Sequence, residues 1–422
     1  MNSPIEHMFR LNENRLRTLA SILLLVWYPF THLYSYHSAI GTVPRFLDGV
    51  FGVVSLGTAI VFLAFLTYRL AVGRGISSRS AVVLGMFFLF LFAAGSIVVS
   101  YRVVGSGPQG SEMVFSYYAR MLLSYAFLFS LGFYADVTRN RLSWLLLFFL
   151  ICINTAMFIN WNRLMIDLRF VVDPRHAGAY LGLSGTAMIT GYIAWSVART
   201  RFLRILILLL LGVLLFFLAS RANLAVYILV LPFAVWFTFR RRSSAVSFLV
   251  MGLVVVGGIA GVIGGSMLTA SRHAQFFSLD QMTSLIARNR LLIAGLQGIG
   301  NNPFVGDYAG QFVSQGSLGS YIHNWLSVWQ AFGLLPFLLF NVLIVFGVYI
   351  ALYWLVRYRY RASRNIQLVS VLLLVVFIQV LAAKSVGWAD IAMVWGMLAG
   401  RLAEYPVSFE RPAQMQELSG RV

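Results

Sequence analysis

The chain has 422 residues, 60% of them hydrophobic and only 11% charged, with a mean hydropathy of +0.82. A soluble globular protein carries about 25% charged residues, so a soluble enzyme, a disordered tail and a secreted disulfide scaffold are all excluded. The 32 basic and 13 acidic residues leave a net charge of +19. In a chain this apolar, loop cations that hold membrane topology explain that excess better than a nucleic-acid partner.

A membrane-spanning helix needs about 20 apolar residues. Twelve segments qualify: 17–34, 49–68, 81–101, 117–136, 142–160, 177–198, 202–219, 222–239, 244–264, 333–356, 365–383 and the short 387–401. The expected fold is therefore an all-α polytopic membrane protein, one integral domain over 1–422. The first segment lacks a small-x-small cleavage site and runs on into Trp27-Tyr28-Pro29, so it reads as a span and not as a cleaved signal. The single cysteine, Cys152, has no partner for an internal disulfide.

With the N-terminus in the cytoplasm, alternate connections collect 21 cations and six acids, or +15, on the inner side. The outer side receives eleven cations and seven acids, or +4. The inner connections are short, where the positive-inside rule applies best, so both termini are placed in the cytoplasm. The outer side holds five of the six histidines, the only lysine (Lys384) and the two longest connections, 161–176 and 265–322. A connection as long as the second is usually functional or disordered. This one keeps amphipathic character and reads as an ordered, partly helical loop between spans nine and ten.

Within the outer features, taken in chain order, the 161–176 loop carries Arg163, Arg169, Arg175 and His176 near Asp167 and Asp173. Those cations either hold an anion or pair with the aspartates and order the loop. The apolar run 202–239 would make about 57 Å of helix, too long for one span, so it must fold back at Ser220-Arg221. Ser220 is a good N-cap for the returning helix, and Arg221 then lies in its first turn, where backbone N–H groups favour an anion such as phosphate. The alternative is an arginine that merely snorkels at a turn. Residues 281–300 place Leu285, Leu292, Leu296 and Ile299 at helical spacing and predict a helix at the membrane surface. Arg288 and Arg290 on that helix stand about 200° apart, so both cannot point into one pocket of a regular helix. Asn302-Pro303-Phe304-Val305-Gly306 and a Gly/Ser-rich stretch follow, and then Tyr321-Ile322-His323-Asn324-Trp325. His323 could accept a proton at neutral pH, or serve as a structural histidine at the interface. Gly257, Gly261 and Gly265 form a small-residue stripe suited to helix packing. There is no Asp-x-Asp pair, no paired-histidine metal spacing and no nucleotide fingerprint.

Several of these features, in this order, resemble the bacterial O-antigen polymerase and O-antigen ligase superfamily. Ser220-Arg221 opens a span after an apolar run, and Arg288 lies fifteen residues before Pro303 in RNRLLIAGLQGIGNNPFVG, as in the family's Arg…Asn-Pro-x-x-Gly pattern. His323-Asn324 then precedes a span with Gly333, and DLRFVVDPRHAGAYLGL is similar to a weaker loop motif of the family. The resemblance covers 160–340; elsewhere it lies in hydropathy and topology only. Between His323-Asn324 and Gly333 stand eight residues, where ligases and many polymerases have nine.

The resemblance implies a glycosyltransferase of the bacterial inner membrane that uses no metal, nucleotide or other cofactor. Its donor would be a glycan on undecaprenyl pyrophosphate at the periplasmic face. Its acceptor would be a second lipid-linked repeat in a polymerase of O-antigen or exopolysaccharide, or the lipid A-core in a ligase. His323 would be the base, with Arg221 and Arg288 on the departing pyrophosphate. Arg290, Asn324, Ser220, Arg169, Arg175 and His176 would be substrate-binding. Membrane lipids and a chain-length regulator are further expected partners. Two other classes remain: a lipid-sugar flippase or polysaccharide exporter, whose arginines would line a path through the bilayer, and a non-catalytic assembly subunit that only binds the lipid carrier.

Overall fold

The computed structural model describes residues 4–44, 46–72, 77–105, 107–161, 165–166, 179–239, 283–315, 322–358 and 362–404. Eleven of the twelve expected spans coincide with helices. These are α1 (Pro4–Ala39), α2 (Asp48–Val72), α3 (Ser78–Val104), α4 (Glu112–Tyr134), α5 (Arg141–Met157), α6 (Ala179–Val197), α7 (Arg201–Phe217) and α8 (Arg221–Thr238) in the first part. Within the long connection lie α9 (Thr283–Asn301) and the short α10 (Gly310–Gln315); after it come α11 (Leu326–Phe332), α12 (Leu334–Arg357), α13 (Arg364–Ala382) and α14 (Asp390–Glu404). The expected span at 244–264, with its glycine stripe, lies outside the described residues. Among the described residues, seven helices are long and apolar enough to cross a membrane, and the protein is an all-α polytopic membrane protein. Among the described residues, the one strand pairing is a two-residue ladder, Ile159–Asn160 against Met165–Ile166, at the start of the first long connection.

Helix starts follow the usual chemistry. Ser77, Ser111, Thr200 and Ser363 each accept a hydrogen bond from a first-turn N–H of α3, α4, α7 and α13. Ser220 departs from its expected role. It stands at the N-cap of α8, but its side chain makes no cap bond there, because the preceding turn is closed by Ala219 at φ +52° and buries Ser220. The fold-back itself falls where expected, at 218–220, and the Tyr227 hydroxyl donates to the Leu208 carbonyl (2.6 Å) to pin α7 against α8.

The tightest helix contact is between α4 and α14. A Cβ at Gly132 would overlap the Met393 carbonyl oxygen, one at Gly396 that of Phe129, and one at Gly400 that of Phe133. Three glycines thus let two backbones touch, the small-residue packing that membrane helices favour. Around this axis the rings of Phe87 and Phe129 stack at 3.8 Å, and Trp395 meets Phe340 edge-on at 5.2 Å.

Cross-links define two ends of the bundle. At the end carrying the short arginine-rich connections, the Asp136 N–H donates to Ser21 (2.8 Å), the Ser80 hydroxyl to Ala399 O (2.7 Å), and Arg364 to Val197 O (2.8 Å). At the opposite end, Asn154 donates to His37 (2.8 Å) and Gln311 to the Tyr118 hydroxyl (3.0 Å).

Candidate functional site

The polar residues of interest gather at that opposite end, where α9, α11 and the 383–389 turn meet. The Asn-Pro-x-x-Gly segment wraps around α11. The Trp329 indole donates to Pro303 O (2.7 Å), the Asp307 N–H to Gln330 O (2.7 Å) and the Leu334 N–H to Phe304 O (3.1 Å). Gly306 and Gly333 sit face to face at φ +76° and +79°. A Cβ at Gly306 would lie 2.6 Å from the Gly333 nitrogen, and one at Gly333 would overlap the Phe304 carbonyl. Both positions therefore need glycine for conformation and for space. Either Gly306→Ala or Gly333→Ala is expected to cost at least ~1–2 kcal/mol from the left-handed backbone alone. Thermal unfolding of the purified variants checks this; an unchanged midpoint would show that the wrap does not hold the segment.

The wrap aims His323. The Ile322 N–H donates to Gln330 Oε1 (3.2 Å), and Asn324 Oδ1 accepts from the Leu326 N–H (3.0 Å). Asn324, expected to bind substrate, thus has its carbonyl oxygen engaged in starting α11. Ser327 Oγ accepts from the Val386 N–H (2.7 Å), and Val386 O accepts from the Tyr125 hydroxyl (2.8 Å). The 383–389 turn is therefore bolted to both the His323 segment and α4. Its other end is held by Gln379, whose carbonyl accepts from the Lys384 N–H (2.8 Å) and whose amide donates to Asn223 Oδ1. Asn223 in turn donates to Ser184 Oγ (2.8 Å). Arg221 opens α8 two residues before Asn223, so the same network positions the start of that helix.

Arg288 and Arg290, both exposed, fall on different sides of α9. α9 packs through Gly295, Gly298 and Ile299: a Cβ at Gly295 would overlap the Ile322 side chain, and one at Gly298 would lie 2.6 Å from Asp307 Oδ2. Ile286, Ile293 and Leu296, about half exposed, lie outward. The expected apolar face is corrected accordingly, since Leu296 belongs to the outward row and the packed face is built on glycines. At about 100° per residue, Arg288 shares the packed side with Gly295 and Ile299, whereas Arg290 shares the outward side with Ile286 and Ile293.

The charges of Arg288 and Lys384 act on His323. Burial first, then these two cations, hold its imidazole below its ordinary pKa, so it is neutral at neutral pH. Burial likewise lowers the Lys384 ammonium, which Asp390 supports and Arg288 opposes. The Lys384 Nζ lies 5.6 Å over the Trp388 ring, and Asp390 is buried in the first turn of α14, where the helix dipole favours an acid. Lys384 and Asp390 were missing from the sequence-based site. The one usable signal was that Lys384 is the sole lysine among 32 cations.

Beside this group an open cleft of about 550 Å³ runs along α4, lined by Ser116, Tyr117, Arg120 and Ser124, with Gly387 and Ala389 of the Lys384 turn on its edge. Arg169, Arg175 and His176 lie outside the described residues. Among the described residues no group of three metal-ligating side chains occurs. Compared with models of known protein families and with curated proteins, the chain matches none.

Proposed function

We propose that this protein is a glycosyltransferase of the bacterial inner membrane that joins lipid-linked oligosaccharide repeats at the periplasmic face, a polymerase of surface polysaccharide. The observation that carries the reading is a half-buried, neutral histidine at one end of a membrane bundle, on which the charges of Arg288 and Lys384 act. In the proposed reaction, an acceptor hydroxyl oxygen attacks the anomeric carbon of the donor sugar and passes its proton to His323. The bond from that carbon to the carrier's pyrophosphate oxygen breaks, and its electron pair leaves with the pyrophosphate. Arg288 and Lys384 stabilise the charge that develops there, with Arg221 as a further donor. The α4 cleft sets Met113 and Met121 beside Arg120, Glu112 and two serines, a mixed lining that suits the junction of a polyprenyl chain with its polar head.

The test is a reconstitution of purified protein in liposomes with a polyprenyl-pyrophosphate-linked repeat unit. Formation of glycosidic bonds between repeats is expected. Movement of the substrate across the bilayer without bond formation would instead assign a flippase or exporter. The ligase reading predicts transfer only when lipid A-core is supplied as acceptor.

Lys384 also sets the pH response. Its ammonium disfavours a second positive charge on His323, so Lys384→Met lets the imidazole pKa rise toward its ordinary value. The acid limb of the rate profile is then expected to move to higher pH. An acid limb that stays in place, or moves to lower pH, would remove Lys384 from the site.

A further inference from the structure

A second charged cavity lies at the other end of the bundle. It measures about 270 Å³ and is lined by Arg199, Arg201, Arg204 and Arg364, with Thr238 and Gln367 among its other walls. No carboxylate stands among these described lining residues. The positive-inside rule explains why arginines occur at this end. It does not explain why four converge on one cavity, nor why one of them is buried, because a topology-setting cation works from an exposed loop.

Arg204 is only 9% exposed, and among the described residues the acceptors that aim its guanidinium are neutral. Nη1 donates to Gln367 Oε1 (2.9 Å), Nη2 to Ser196 O (3.1 Å) and Nε more weakly to Ala198 O (3.4 Å), while the group lies 5.3 Å over the Trp195 ring. Gln367 is itself oriented, since its amide donates to Ala362 O (3.0 Å). Arg364 is fixed by its bond to Val197 O (2.8 Å). The charge of Arg364 acts on Arg204, and those of Arg141 and Arg199 act on Arg364. The cavity also lies at the starts of α7 and α13, whose first residues are Arg201 and Arg364, and a helix start favours an anion over a cation. The sequence continues from the end of α8 into Arg240-Arg241-Arg242. Buried, mutually repelling charge without a carboxylate is costly unless an anion completes it. Guanidinium groups held by neutral acceptors are preorganised for the bidentate geometry of phosphate.

We propose that this cavity binds a phosphate-bearing anion, with Arg204 and Arg364 as the fixed donors and Arg199 and Arg201 as the outer ones. The site is independent of the His323 group at the opposite end. A phosphate there could belong to an anionic lipid headgroup or to a soluble polyphosphate.

The full-length protein is purified and its thermal midpoint measured with two probes. One is phosphatidylglycerol mixed into phosphatidylcholine vesicles, against phosphatidylcholine alone; the other is inorganic pyrophosphate. A rise with phosphatidylglycerol assigns a lipid headgroup, and a rise with pyrophosphate a soluble ligand. Because Arg204→Met risks misfolding, the deciding variant is the exposed pair Arg199→Gln/Arg201→Gln, which should weaken the effective probe by ~10-fold or more. The comparison variant is Arg15→Gln, at the same end but outside the cavity, which should leave it unchanged. If neither probe raises the midpoint, or if the paired variant responds no differently from Arg15→Gln, the cavity is not a phosphate site.

Discussion

If His323 is the base of the proposed transfer, His323→Ala is expected to lower glycosidic bond formation by ~10²–10⁴-fold, the range supplied by a positioned general base, with the protein still inserted and folded. Folding should survive because the segment is held by main-chain and neighbouring groups. The Ile322 N–H is bonded to Gln330, Asn324 Oδ1 accepts the Leu326 N–H and Ser327 receives the Val386 N–H. None of these bonds uses the imidazole. The pH dependence follows from the same geometry. Burial, Arg288 and Lys384 lower the imidazole pKa, so the base is competent above that lowered value and is lost as pH falls through it. The wild-type rate should therefore be flat through neutral pH and decline only well on the acid side, below about 6.5. The measurement is the initial rate of polymer formation against pH for wild type and His323→Ala, with thermal unfolding as the fold control. A variant that polymerises at the wild-type rate would refute the assignment of His323 as the base.

Gly396→Leu is expected to prevent assembly of the native bundle. An added Cβ already overlaps the Phe129 carbonyl oxygen, and that atom belongs to a helix backbone and cannot swing aside as a side chain would. Overpacking in a close-packed core typically costs ~1–3 kcal/mol, and a backbone-to-backbone contact belongs at or above the top of that range. Gly132 faces the Met393 carbonyl and Gly400 the Phe133 carbonyl, so relief by sliding α14 along α4 is blocked at both neighbouring contacts. Separating the helices would also unseat Trp395 from Phe340 and Phe87. Detergent-solubilised yield and thermal midpoint report the effect. Gly85→Leu, on α3 where a Cβ meets nothing within 4 Å, is the comparison and should be mild.

Much of this architecture was legible in the residue pattern because membrane spans obey a one-dimensional rule. A stretch of apolar residues must satisfy its backbone internally, so hydropathy locates helices directly. A fold-back followed from length, as a 38-residue run exceeds one bilayer, and its place followed from the polar Ser220-Arg221 within that run. The separation of Arg288 from Arg290 followed from helical angle, and α9 shows which side each occupies. Other features have no such rule. Ser220 looked like a cap by residue type, yet the conformation of Ala219 turns it inward, and backbone geometry of that kind is set by packing between α7 and α8. Asn324 looked like a ligand group, and its carbonyl oxygen is used to start a helix two residues on.

Order along the chain therefore dictated the spans, the charge asymmetry between their connections and the candidate base with its arginine. Tertiary structure alone decided that Lys384, more than sixty residues beyond His323, acts on it with Asp390 in support of the ammonium, and that arginines from 199–204 and 364 share a cavity. The physical reason is that hydropathy and helical period act between neighbours in sequence. Electrostatic partnership and glycine-level packing act between neighbours in space, and here the 383–389 turn, held by Ser327, Tyr125 and Gln379, brings those distant residues together.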